Sequence, residues 1–66
     1  MRVNSKVFYI LKPQRPIQFH AGDGALTEDI SNIELYSSRE QAEDKLRCFD
    51  EPHYFDIGEA CIYFSI

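Results

Sequence analysis

Long apolar runs are missing from this chain of 66 residues. Its unbroken apolar stretches are no longer than Val7–Leu11, far below the roughly 18 residues that a membrane-spanning helix needs. The opening Met1-Arg2-Val3-Asn4-Ser5-Lys6 leads into no extended apolar region with a small-residue cleavage site, so the expected location is the cytoplasm. Acids are missing from the first twenty positions, which carry Arg2, Lys6, Lys12 and Arg15. With a net charge of −4, everything after them sums to −8. Such an acidic body argues against ordinary nucleic-acid binding, which rests on Lys and Arg displacing counterions from phosphates. It suits docking on a basic surface by electrostatic steering, or imitation of a nucleic acid.

Catalytic and ligand-binding patterns are also missing. Cys48 and Cys61 lie outside any Cys-x-x-Cys motif and read as small buried hydrophobes, a disulfide requiring an oxidising compartment. The spacings of His20, Cys48, His53 and Cys61 match no familiar zinc pattern, and the two histidines read as polar residues at element ends. Cys48 falls in the last turn of the predicted helix, where the dipole disfavours a thiolate, so pairing with His53 makes no activated nucleophile. Gly22-Asp23-Gly24 lacks the Lys and hydroxyl residue of a phosphate loop and reads as a turn. Repeats, low-complexity stretches and linkers are absent too. These absences predict one domain over 1–66, no enzymatic activity, no metal and no cofactor.

What is present is the composition of a folded domain: 44% hydrophobic, 27% charged and 14% aromatic. So short a chain buries only about 60% of its unfolded surface, which leaves its stability marginal. Residues 6–12, β-branched and aromatic, predict a first strand. Pro13 and Pro16 interrupt the ladder, and Ile17 and Phe19 alternate with Gln18 and His20 as a second strand in a hairpin. Residues 25–32 are least defined, with Thr27 a candidate cap for a short turn over Glu28, Asp29 and Ile30. Ile33-Glu34-Leu35-Tyr36 resumes alternation as a short third strand. Ser37 and Ser38 stand three before Glu40 and Gln41, either pair fitting a capping box, so a helix is predicted over about 38–49 with Ala42, Leu46 and Phe49 as its apolar stripe. Pro52 ends it. From His53 onward the chain is strand-like, with a β-bulge or tight turn at Gly58 to bring Phe55 and Ile57 onto the side of Ala60, Ile62 and Phe64. The predicted fold is α+β: a small antiparallel sheet of three to four strands with one helix on one face, in the order β-β-β-α-β.

One helix covers one face of a sheet, yet the first strand sets Val7, Tyr9 and Leu11 against Phe8 and Ile10, and the last sets Cys61 and Tyr63 against Ala60, Ile62 and Phe64. Loops over 21–32, a second copy of the chain or another protein would cover the rest. Exposed aromatic surface of this kind marks binding sites. The candidate partner-binding residues are Tyr9, Tyr36 and Tyr63 as sheet aromatics, with Glu40, Glu43 and Asp44 as a charged rim. A second reading is nucleic-acid binding through Arg2, Lys6, Lys12 and Arg15, with Tyr9 or Phe19 as stacking platforms; a third is a structural homodimer.

From Ile33 onward, the run Ile-Glu-Leu-Tyr-Ser-Ser-Arg-Glu-Gln-Ala-Glu-Asp-Lys-Leu followed by an aromatic strand resembles the strand, capped helix, strand core of small phage-encoded inhibitor proteins, anti-CRISPR proteins among them. The resemblance covers about half of the chain and carries over no functional residue. It implies a compact inhibitor of a host protein, such as a nucleic-acid enzyme or defence nuclease, that acts in the host cytoplasm by occluding its target without an active site.

Overall fold

The computed structural model describes residues 2–22 and 24–65. Its elements run β1 (Arg2–Lys12), β2 (Gln18–His20), β3 (Leu26–Thr27), a 3₁₀ turn (Ile30–Asn32), α1 (Arg39–Leu46), a second 3₁₀ turn (Pro52–Tyr54) and β4 (Asp56–Ser65). The four strands form one antiparallel sheet in the order β3-β2-β1-β4, with α1 on one face. The predicted α+β class and β-β-β-α-β order hold.

The sheet is built around β1. It pairs β2 at Leu11 with Phe19 and Lys12 with Gln18, and pairs β4 over its whole length from Arg2 with Ser65 to Leu11 with Asp56. The β2 side is shorter because Pro13 and Pro16 occupy the connection, with Arg15–Pro16 cis. Gly24 takes a positive φ of 88° in the turn after β2, closed by Gly24 N–H donating to the Ala21 carbonyl at 3.0 Å. The part of that turn assigned to Asp23 lies outside the described residues.

Three local expectations are corrected. The third strand is Leu26–Thr27. Ile33 and Tyr36, expected in that role, make only isolated bridges to Ala21 and Phe8. No bulge or turn forms at Gly58: the β1–β4 register is unbroken, with Tyr9 opposite Gly58. Phe8 and Ile10 face the helix together with Ile57, so strict alternation sends Ala60 and Ile62 to the other side. The Phe64 side chain lies outside the described residues. Thr27 Oγ1 does accept a bond from Asp29 N–H, but the 3₁₀ turn starts two residues further on and is capped by Asp29.

The helix begins as the sequence signals. Ser38 Oγ accepts from Gln41 N–H at 3.2 Å, while the Gln41 side-chain carbonyl accepts from Ser37 N–H and hydroxyl. Regular α-helix ends at Leu46, shorter than expected; Cys48 and Phe49 N–H then bond back three residues and tighten the chain, delivering Phe49 to the core. There Phe8, Ile10 and Ala42 are buried, with Tyr36, Leu46, Phe49, Phe55 and Ile57 packed around them. Ala42 is fully buried because its small side chain lets the helix approach the strand closely.

Candidate functional site

On the face of the sheet away from α1, β1 contributes Val7, Tyr9 and Leu11, β2 contributes Phe19 opposite Leu11, β3 contributes Thr27, and β4 contributes Ala60 and Ile62. Every one of these side chains keeps some exposure, whereas Phe8 and Ile10 on the helix side are buried. The face is organised around Tyr9. Its ring meets Phe19 edge-on at 5.6 Å, the geometry that the aromatic quadrupole favours. On the other flank it lies over Gly58, where a Cβ would stand 2.4 Å from the ring. Glycine at this cross-strand position therefore lets the tyrosine lie flat on the sheet.

The structure does not bring the predicted partner-binding residues together. Tyr9 alone lies on the open face. Tyr63 is opposite Asn4, on the helix side of the sheet but beyond the helix, and is 69% exposed. Tyr36 has its ring against the core and its hydroxyl enclosed; burial, then the nearby Glu34 carboxylate, raises its pKa. Glu40, Glu43 and Asp44 belong to α1, on the opposite side from Tyr9, and Asp44 pairs with Arg47. Val7, Leu11, Phe19 and Ile62 were not among the predicted partner-binding residues, Phe19 being expected only as a stacking platform for nucleic acid. The signal for Phe19 and Ile62 was period-two alternation carried across the hairpin from Leu11 and Val7, legible once the register is known.

Two of the predicted cations, Lys6 and Lys12, are not grouped with the open-face aromatics either. Lys6 and Lys12 fall on the helix side by strand alternation, and Lys6 Nζ lies 2.9 Å from Glu59 Oε1. That pair, through its hydrogen bond and its charge, raises the Lys6 pKa and lowers that of Glu59. One further expectation is corrected, that of buried cysteines, while His20 does end β2 as expected. Cys48 and Cys61 are both free and exposed, because Cys48 follows the helix and Cys61 lies where β1 and β4 run past it. His20 is buried, at 4% exposure, with its ring 4.9 Å from that of Phe49 and its Nδ1 3.7 Å from Glu34 Oε2.

A shallow cleft of about 710 Å³ opens beside His20, lined by Leu26, Cys48, Phe49, Asp50, Glu51 and Phe55 among others. Among the described residues no three His, Cys, Asp or Glu side chains converge as metal ligands, and no helix is long and apolar enough to cross a membrane. Comparison with protein-family models, with curated proteins and with solved structures finds no match.

Proposed function

We propose that this chain is a non-catalytic protein-binding module, acting as an inhibitor or modulator of a host protein, and that its contact surface is the open face of the sheet. One observation carries this reading: Val7, Tyr9, Leu11, Phe19 and Ile62 form a contiguous apolar surface on which no described side chain is buried. A partner that covers it desolvates two aromatic rings already held in place by the strand ladder and by each other, so little side-chain freedom is lost on binding. The inhibitory role rests on the resemblance to small phage-encoded inhibitors. The excess of acids beyond residue 20 acts at long range, steering the module toward a basic partner without forming a rim around the aromatics.

The test is affinity capture from a host lysate with the wild-type chain and with Leu11→Glu, which places a charge in the middle of the face. Recovery of one protein in stoichiometric amount by the wild type, lost with the variant while the variant keeps its circular dichroism spectrum, supports the reading. Equal recovery by both, or none by the wild type, overturns it.

A further inference from the structure

We infer that two copies of the chain join antiparallel through the outer edge of β4, about a two-fold axis at Cys61, to make one continuous eight-stranded sheet. This surface is separate from the open face and does not depend on the reading given for it.

Backbone geometry identifies the free edge. Phe8 N–H and C=O both bond Tyr36, each at 2.8 Å, on the side of β1 away from β4. Alternation along an antiparallel strand then turns the odd residues Ser5, Val7, Tyr9 and Leu11 toward β4, where they meet Ile62, Ala60, Gly58 and Asp56. The peptide groups of Ile57, Glu59, Cys61 and Tyr63 consequently point outward. β4 is the last strand of the sheet, and among the described residues no other segment bonds to this edge.

The usual safeguards of an edge strand are missing. β4 is 10 residues long, contains no proline and keeps an unbroken register. Between Ile57 and Ser65 its one charge is Glu59, and that carboxylate is engaged by Lys6. Where β4 passes beyond the helix, with Asn4, Ser5, Lys6, Cys61 and Tyr63 exposed, β1 and β4 form a bare two-stranded ribbon, an arrangement of marginal stability without further strands.

A second copy fits this edge better than an arbitrary strand because the edge is complementary to itself. Paired outward residues must both be odd, so the axis falls on a residue and not between two. An axis at Glu59 sets the two Glu59 carboxylates opposite each other. An axis at Ala60 drives Tyr63 of the second copy against Ile57, which already packs on the core, and brings Asp56 into the pairing. An axis at Cys61 pairs Glu59 with Tyr63 of the second copy, leaves Asp56 outside and sets the two Cys61 residues opposite each other. It also places Ile62 of one copy beside Ala60 of the other, so the open faces continue across the axis on one side of the sheet.

Sedimentation of the wild-type chain is expected to show a concentration-dependent species of twice the 7.7 kDa chain mass. Cys61→Pro deletes only an outward N–H and spares the ladder to β1. Cys61→Lys, which guards against misfolding of the first variant, sets like charges opposite each other. Each should raise the dimer dissociation constant about tenfold or more, while Leu11→Glu should leave it unchanged. Diamide, taking up the two protons and two electrons released, should join Cys48→Ser chains through Cys61, since paired Cα atoms about 5.5 Å apart suit a disulfide. Cys61→Ser should not be joined at all. A wild type that stays monomeric at millimolar concentration, or a dimer that survives Cys61→Lys and dissolves with Leu11→Glu, overturns the inference. A dimer that diamide cannot link through Cys61 overturns the register.

Discussion

The two faces of β1 carry side chains of the same kind and meet opposite fates. Phe8 and Ile10 point at α1 and are buried; Val7, Tyr9 and Leu11, interleaved with them, are only half-buried. The difference comes from what lies above each face. Ala42, Leu46 and Phe49 close one side, whereas on the other the aromatics shelter one another and Gly58. Apolar residues thus close the core on one face and stay half-open to solvent on the other.

The most direct way to break that contrast is to truncate neighbours that differ only in the face they serve. Ile10→Ala should lower the unfolding free energy by about 2–5 kcal/mol, the cost of a cavity in a closed core, measured by urea denaturation. Leu11→Ala, one residue on and only half-buried, should cost about 1 kcal/mol. Equal losses would mean that the open face is covered after all.

Gly58→Ala sharpens the contrast from the open side. The new methyl group displaces the outer end of the Tyr9 ring, and losing its edge contact with Phe19 should cost about 1 kcal/mol. In a Tyr9→Ala background the same substitution should cost nothing, so the double-mutant cycle reads the coupling directly. Ser38→Ala tests the covered side by weakening the start of the covering helix. It should cost about 1 kcal/mol, seen as a lower urea midpoint with the open face unchanged.

The smallest effect belongs to the exposed Lys6–Glu59 pair, on the helix side of the sheet but outside its core. Glu59 has its pKa lowered from 4.5, so its contribution is complete above that value and disappears as pH falls through the depressed one. Lys6 is raised from 10.5, so its contribution is complete below that value and disappears as pH rises through the elevated one. Glu59→Gln should therefore differ from the wild type only between those limits. The difference should be slight and should fade with added salt, checked by thermal melts at several pH values.

How much of this was legible depends on the range of the interaction that decides each feature. The start of α1 was legible because Ser38 and Gln41 satisfy backbone donors within one turn. Strand β1 was legible over residues 6–12, which are largely β-branched and aromatic, but its start at Arg2 was not, because the polar residues before Lys6 are held in the strand by pairing with β4. The third strand was not: Leu26–Thr27 is two residues long and exists only because β2 offers it an edge. The bulge expected at Gly58 failed because the reading sought one apolar face for all of β4, while the ladder to β1 lets both faces of that strand be apolar. Of the candidate binding residues, Tyr9 lies on the open face. Tyr63 and the acids of α1 were separated from it by register and by the side on which the helix lies.

By itself the sequence determined an α+β fold with a capped helix late in its order, because periodicity, caps and prolines act on neighbouring residues. Which strands pair, which tyrosine shares a face with which, and which edge is left open were decided only by the tertiary structure. Register and layer order join residues such as Phe8, Tyr36 and Glu59 that are distant in the chain, and no local pattern encodes such a pairing.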